Sequence, residues 1–120
     1  MSSPETDSLP NYETLALTRK GRLLIITLNL PDTLNGVNDQ MHEELSEVFT
    51  VAGKDPHSDV LLLTGAGRAF SAGGDVMHIA AHADTPEKWD RELRLAKRIV
   101  FSILDLEKPL ICRLNGHAIG

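Results

Sequence analysis

The sequence predicts an α/β protein, and three observations support that fold class. Short apolar segments at 23–28, 59–64 and 110–114 are rich in Leu, Ile and Val and lie between turn residues, as strands do. Two segments with apolar residues at helical spacing alternate with these strands. The resulting order β-β-α-β-α-β requires that some strands are joined by helical crossovers, which is typical of α/β folds.

The first two strands are predicted to form a hairpin. Residues alternate between two faces along Tyr12–Thr18, and Leu23–Leu28 is a second strand with β-branched residues. Lys20-Gly21 supplies a turn signal between them. Residues 1–11 are polar and rich in Ser, Pro and acidic side chains, so we expect a disordered leader there and the folded domain from residue 12.

A loop and a helix follow the hairpin. Asn29–Gly36 contains Pro, Asp, Asn and Gly, which favour loops, and Asn38 is placed to cap a helix. The apolar residues of that helix recur at the helical period up to a stop at Gly53: Met41, Leu45, Val48, Phe49 and Ala52. Three glutamates are expected on its outer side: Glu43, Glu44 and Glu47.

The second half repeats the alternation of strand and helix. Asp59–Thr64 is an apolar run that suits a strand buried on both faces, and the glycine-rich segment Gly65–Asp75 follows it. A short helix is expected from Asp75. A longer helix is expected from Pro86 to about Leu106, with these residues facing inward: Leu93, Ala96, Val100, Ile103 and Leu104.

The last predicted elements are a short strand and a turn. Leu110–Leu114 is apolar and follows the helix-stopping Pro109, and Asn115-Gly116 is a turn signal. The sequence then stops at Gly120, directly after a strand that needs another element to cover it. We therefore interpret residue 120 as a truncation point within a longer domain.

Charge and composition exclude several classes of function. The formal net charge of -5 argues against general nucleic-acid binding, which needs clustered Lys and Arg. Basic residues do gather in Arg91–Arg98, where they indicate the solvated side of a helix or a patch that meets a phosphate or partner subunit. No signal peptide is evident, and the longest apolar run, Leu23–Ile26, is far shorter than a membrane span. We expect a cytoplasmic protein without membrane contact.

The glycine-rich segment Gly65–Asp75 carries the strongest functional signal. It follows a buried strand and leads into a helix, so its exposed backbone N–H groups are suited to binding negative charge. It is not a P-loop, because the Gly-Lys-Ser/Thr end is missing. It is not a dinucleotide fingerprint either, because Phe70 stands where the third glycine is required.

The same segment resembles a known family. Its run Gly67-Arg68-Ala69-Phe70-Ser71-Ala72-Gly73-Gly74-Asp75 is similar to the signature of the crotonase (enoyl-CoA hydratase/isomerase) family. Two further segments, Asn29–Asn38 and Lys108–Gly120, resemble the family's Asn-Arg-Pro-Glu…Asn-Ala-Leu loop and the strand and turn before its second oxyanion-hole glycine. The resemblance extends from about Tyr12 to Gly120.

The resemblance implies a crotonase-like ββα spiral, of which 12–120 would be the N-terminal part, and binding of an acyl-CoA thioester. It implies that the Gly74 N–H is a catalytic donor to the thioester oxygen. The substrate-binding residues implied by the match are Asn35, Gly36, Val37, Ala72, Gly73, Gly74, Asp75 and Val76. No cofactor or metal is expected, because coenzyme A enters as part of the substrate.

The family match also places the second N–H donor at the residue after Gly120 and the hydratase glutamates further on. It therefore implies a full-length hydratase-type lyase acting on 2-enoyl-CoA, a homotrimer or hexamer, and an inactive 120-residue piece. Three alternatives stay open: an isomerase or another reaction of the family, a non-catalytic acyl-CoA-binding module, and an α/β domain with a structural glycine turn.

Five polar residues are further candidates for the site or a metal. His78 and His82 have i,i+4 spacing, but no third ligand stands near them, so a metal site is disfavoured. Asp75 is better explained as a helix N-cap than as a catalytic acid. Arg68 and His117 are candidates for contact with a CoA phosphate or the substrate, although packing of the loop explains each of them as well.

Overall fold

The fold is a four-stranded mixed sheet with two long helices. A computed structural model describes residues 9–74 and 85–120. Its elements are β1 (Leu15–Lys20), β2 (Leu23–Leu28), a 3-10 turn (Pro31–Thr33), α1 (Asp39–Gly53), β3 (Val60–Gly65), α2 (Pro86–Leu104) and β4 (Leu110–Cys112). The strand order is β1-β2-β3-β4, so each strand lies beside its neighbour in sequence. The described residues thus confirm the α/β class and the order of the elements.

The sheet begins as a hairpin and continues with parallel pairs. β1 pairs antiparallel with β2, whereas β2–β3 and β3–β4 are parallel. The parallel pairs are joined by α1 and α2, because a parallel pair needs a crossover connection. Leu24, Ile26 and Leu61 are fully buried and form the centre of the core with residues of α1.

Helix α1 begins and ends where the sequence predicts. The Asn38 side chain accepts a 2.9 Å hydrogen bond from the Met41 amide, as an N-cap does, and the helix ends at Gly53. Met41, Val48 and Phe49 are buried against the sheet. The periodicity prediction for this helix is therefore confirmed.

The prediction that Glu44 lies on the outer side of α1 is wrong. Its carboxylate is buried and accepts hydrogen bonds from the amides of Glu13 and Thr14 and from the Thr14 hydroxyl, at 2.6–2.9 Å. These bonds occupy backbone donors just before β1. They accompany a later start for that strand, at Leu15 instead of Tyr12.

The predicted inward face of α2 is also wrong, except at Ile103. Leu93, Val100 and Leu104 are 63%, 54% and 70% exposed, whereas Leu95 and Glu92 are buried. Ile99 and Ile103 pack against the core. The helix carries two apolar stripes, and a 3.6-residue period does not reveal which of them the rest of the protein covers.

Several boundaries and one terminal prediction differ from the structure in detail. β3 starts at Val60, β4 ends at Cys112, and α2 ends at Leu104. Leu9 and Tyr12 pack against the core, so ordered packing begins inside the expected leader. The leader prediction for 1–8 and the short helix from Asp75 lie outside the described residues. None of the helices in 9–74 and 85–120 is long and apolar enough to span a membrane.

Candidate functional site

Two asparagines hold the glycine-rich segment that follows β3. The Nδ2 groups of Asn35 and Asn115 both donate to the Ala69 carbonyl, at 2.9 and 3.2 Å. Asn115 also donates to the Gly67 carbonyl and accepts from the Gly65 amide. The first half of the segment, residues 65–69, is therefore held by side chains from distant parts of the chain.

The polar atoms of the Asn35 side chain are hydrogen-bonded to backbone groups of the protein. It is fully buried, its Oδ1 accepts from the Leu30 amide at 2.8 Å, and its Nδ2 also donates to the Ala66 carbonyl at 2.9 Å. Its φ of 56° is a left-handed conformation that Asn tolerates better than most residues. The substrate-binding role predicted for Asn35 and Gly36 is untested, and both residues are buried.

Ser71 and Gly73 form a tight turn at the end of the segment. The Ser71 hydroxyl donates to the Asn35 carbonyl at 2.8 Å and accepts from the Gly73 amide at 3.0 Å. Gly73 has φ of 88°, and a Cβ added there would lie 2.6 Å from the Ile119 carbonyl oxygen. Only glycine fits this position, because both the backbone angle and the space exclude a side chain.

The Gly74 N–H is available to donate a hydrogen bond to a ligand. The Gly73 carbonyl accepts a 2.8 Å hydrogen bond from the Val37 amide. Because the peptide bond between Gly73 and Gly74 is trans, the Gly74 N–H points away from Val37. Within 9–74 and 85–120 no acceptor pairs with this amide, and Gly74 itself is exposed.

Gly74 lies at an apolar cavity of about 360 Å³. The cavity is lined by Leu28, Val37, Leu45, Phe49, Leu63, Phe70, Ser71, Gly73, Gly74, Ile99, Ile103, Ile119 and Gly120. Of these described residues none has a titratable side chain, so the cavity offers apolar surface and backbone groups. A hydrogen bond from the Gly74 N–H to a ligand that fills this apolar space would be stronger than the same bond in water.

A second cavity, of about 340 Å³, lies on the Ala72 side of the same turn. It is lined by Leu34, Arg68, Ala69, Ala72, His117 and Ile119. Arg68 and His117 bring to it the polar groups that the first cavity lacks. Ile119 lines both cavities, so the turn at 72–74 lies between an apolar space and a more polar one.

The strong ionic groups of the described chain lie elsewhere. Arg19 and Asp55 pair at 2.8 Å. Burial alone would raise the pKa of Asp55, but hydrogen bonds from Arg19, Ser58 and the His57 amide lower it from 3.8 to about 2. Across 9–74 and 85–120, no three His, Cys, Asp or Glu side chains lie close enough together to hold a metal ion.

The structure brings part of the predicted site together. Val37, Gly73 and Gly74 line the apolar cavity and Ala72 lines the second one. Asp75, Val76, His78 and His82 lie outside the described residues. Sequence reasoning missed the Asn35 side chain, the Ser71 hydroxyl and Asn115 as braces. The sequence predicts Asn115 only as a turn residue. An Asn between a strand and a glycine is also placed to bind a neighbouring loop.

The comparisons with known proteins identify the family to which the chain is similar. Residues 23–120 match the family model described as enoyl-CoA hydratase/isomerase. A 1,2-epoxyphenylacetyl-CoA isomerase of Escherichia coli is 37% identical over 108 residues, which are 88% of this chain and 41% of that protein. A crotonyl-CoA hydratase of Syntrophomonas wolfei is 31% identical over 111 residues, covering 91% of this chain and 42% of that protein.

Solved structures give the same result for the fold. The crystal structure of an enoyl-CoA hydratase/isomerase from Mycobacterium paratuberculosis superposes with a TM-score of 0.84 and 34% sequence identity. The match covers 89% of this chain and 43% of that one. The fold is therefore crotonase-like, and the chain spans less than half the length of the relatives and structures that it matches.

Proposed function

Because the chain belongs to the enoyl-CoA hydratase/isomerase family, we propose that it binds an acyl-CoA thioester and donates a hydrogen bond from Gly74 to the thioester oxygen. One observation supports this most directly. The Gly74 N–H has no acceptor in the described chain and lies at the apolar cavity beside Gly73 and Gly120.

The proposed chemistry follows from where charge develops. When a nucleophile adds to the β-carbon of a 2-enoyl thioester, an electron pair moves onto the carbonyl oxygen of the thioester. The same happens when a proton leaves the α-carbon. A donor already aimed at that oxygen stabilises the enolate without reorganising during the reaction. A backbone N–H also does not titrate, so it serves at any pH at which the protein is folded. The second donor expected from the family match is the residue after Gly120.

The two cavities suit different parts of the substrate. The cavity beside Gly74 is almost entirely apolar and suits the acyl chain, because burial of each methylene group contributes about 0.8 kcal/mol. The cavity beside Ala72 contains Arg68 and His117 and suits the polar part of coenzyme A. Coenzyme A thus belongs to the substrate, and the proposal needs no separate cofactor or metal.

For the full-length protein we propose an enoyl-CoA hydratase, a lyase that adds water to 2-enoyl-CoA in the cytoplasm as a homotrimer or hexamer. The relatives named as a crotonyl-CoA hydratase and as an isomerase both match this chain. An isomerase is therefore the second candidate. A non-catalytic acyl-CoA-binding module is the third, because no described residue lining the Gly74 cavity is an acid or base.

Calorimetric titration of this chain with acetoacetyl-CoA and with free coenzyme A tests the proposal. We expect the thioester to bind more tightly than coenzyme A, because only the thioester reaches both cavities. Gly74→Pro, which lacks the N–H, should lose this preference, whereas Gly74→Ala retains the N–H and should keep more of it. Equal binding of both ligands, or no binding of either, would contradict the proposal.

Hydration assays separate the binding function from the catalytic one. We expect this chain alone to leave crotonyl-CoA unhydrated, since none of the described residues that line the apolar cavity has an acidic or basic side chain. A rate typical of enzymes is about 1–1000 turnovers per second. Turnover at such a rate by the isolated chain would show that an acid or base is present and would contradict the prediction that the 120-residue chain alone is inactive.

A further inference from the structure

We propose that Ser71 is a positioning residue that aims the Gly74 amide at the thioester oxygen. This inference rests on the proposed function of Gly74. Ser71 itself touches no reacting atom in the proposal. Its side chain acts through the peptide groups on either side of Gly73.

The turn needs an external constraint because glycine is flexible. Gly73 has no side chain to limit its backbone angles, and its φ of 88° is one of several conformations open to glycine. A rotation about its backbone bonds would swing the Gly74 N–H away from its present direction. The aim of the donor therefore depends on what holds the two peptide groups of Gly73.

Two hydrogen bonds supply that constraint. The Ser71 hydroxyl accepts from the Gly73 amide at 3.0 Å and fixes the peptide group before Gly73. The Val37 amide donates to the Gly73 carbonyl at 2.8 Å and fixes the peptide group after it. Of these two contacts, only the one from Ser71 is made by a side chain and can be removed by substitution without altering the backbone.

Ser71 is itself oriented by the buried loop. Its hydroxyl donates its proton to the Asn35 carbonyl at 2.8 Å, which leaves the oxygen lone pairs free to accept from the Gly73 amide. Asn35 is fully buried, and its side chain is fixed by hydrogen bonds to Leu30, Ala66 and Ala69. The main chain of Ser71 is held as well, because its amide donates to the His117 carbonyl and its carbonyl accepts from the Ile119 amide.

This arrangement links three separate segments to the direction of one N–H group. The loop at Asn35, the turn at Ser71 and the segment at 117–119 are joined by hydrogen bonds beside the apolar cavity. Loss of the Ser71 hydroxyl leaves the apolar wall of the cavity in place, because the other described side chains that line it are apolar. We therefore expect its removal to alter the strength of the Gly74 hydrogen bond more than the affinity for the ligand.

Isotope-edited infrared spectroscopy measures that strength directly. The probe is crotonyl-CoA carrying ¹³C at the thioester carbonyl, bound to this chain, and the readout is the carbonyl stretching frequency. A hydrogen bond to the carbonyl oxygen lowers the frequency. We expect a lowered frequency in the wild type and a partial return toward the value in water for Ser71→Ala, with a smaller rise in the dissociation constant than Gly74→Pro causes.

Three further variants make the result specific. Ser71→Thr keeps the hydroxyl and should retain the lowered frequency. Ser46→Ala removes another buried hydroxyl, which donates to the Glu43 carbonyl on α1, and should behave as wild type. Ser71→Cys has a weakly hydrogen-bonding side chain of similar length, so it should give an intermediate frequency even if Ser71→Ala does not fold.

The outcomes distinguish this inference from the proposed function. If the wild type does not bind the probe, or binds it without a lowered frequency, the role proposed for Gly74 is wrong and the inference is wrong with it. If the wild type shows the lowered frequency and the Ser71→Ala and Ser71→Cys variants show the same value, Ser71 does not position the donor, while the proposed function stands.

Discussion

The amide of Val37 and the carbonyl of Gly73 are joined by a 2.8 Å hydrogen bond that connects the loop after β2 to the glycine turn after β3. Two segments distant in the chain are thereby held together in a short parallel bridge between Val37 and Gly74. Because the trans peptide group has its C=O and N–H on opposite sides, this contact turns the Gly74 N–H away from Val37.

The first prediction concerns Gly73. Gly73→Ala should destabilise the protein by more than ~1–2 kcal/mol, the usual cost of a left-handed backbone for an L-residue, because its Cβ would also lie 2.6 Å from the Ile119 carbonyl oxygen. Gly21→Ala is the matched control, since Gly21 has a φ of 60° but nothing within 4 Å of an added Cβ. Urea unfolding of both variants measures the difference, and equal losses would contradict the crowding at Gly73.

The second prediction distinguishes the two apolar stripes of α2. Leu95→Ala should cost about 2–5 kcal/mol of unfolding free energy, because Leu95 is 9% exposed and packs in the core. Leu104→Ala should change stability by about 0.5 kcal/mol or less, because Leu104 is 70% exposed. Chemical denaturation of the two variants is the measurement. A larger loss for Leu104→Ala would mean that the outward stripe is covered in solution.

The third prediction concerns acid stability. In the folded state the pKa of Asp55 is lowered from 3.8 to about 2, so its carboxylate stabilises the fold fully above pH 3.8. That contribution, about 2 kcal/mol, is lost as the pH falls from 3.8 to about 2. Asp55→Asn should therefore lower stability at pH 7 and flatten the dependence of unfolding free energy on pH in this window.

Asp59 provides the control for that prediction. It pairs with Arg22 at the same 2.8 Å distance as Asp55 does with Arg19, but its side chain is 65% exposed. Exposed ion pairs contribute little to stability. Asp59→Asn should therefore leave the pH dependence of the unfolding free energy below pH 3.8 nearly unchanged. An equal effect of the two substitutions would contradict the role of burial at Asp55.

The fourth prediction concerns Asn115. Its side chain joins Gly65, Gly67 and Ala69, whereas a residue needed only for the turn would make no such contacts. Asn115→Asp keeps the Oδ1 acceptor but removes the Nδ2 donor, so it should weaken the glycine-rich segment through its bonds to the Gly67 and Ala69 carbonyls. Hydrogen exchange at the amides of 65–74 measures the loss, and unchanged exchange would contradict this bracing role.

Local signals in the sequence were sufficient for part of this structure. The N-cap Asn38, the end of α1 at Gly53 and the strand Leu23–Leu28 follow from residue types whose preferences act over a few positions. The glycine turn was located for the same reason, because Gly73 occupies a backbone conformation that few other residues adopt.

Long-range contacts explain what the sequence did not reveal. Glu44 is buried because Glu13 and Thr14, some thirty residues away, supply donors to its carboxylate. The inward stripe of α2 is set by packing against α1, where Glu92 lies 2.6 Å from His42. Neither pairing has a local signature, and the same holds for the contact of Ser71 with Asn35.

The amide resonance of Gly74 tests most directly whether this N–H donates to the thioester oxygen. In ¹H–¹⁵N spectra of the labelled chain, saturating acetoacetyl-CoA should move the Gly74 amide proton downfield, as a newly formed hydrogen bond does. The resonance of Gly21, which lines neither cavity, should stay in place. A Gly74 resonance that is unchanged at saturating ligand would contradict the claim that this N–H meets the thioester oxygen.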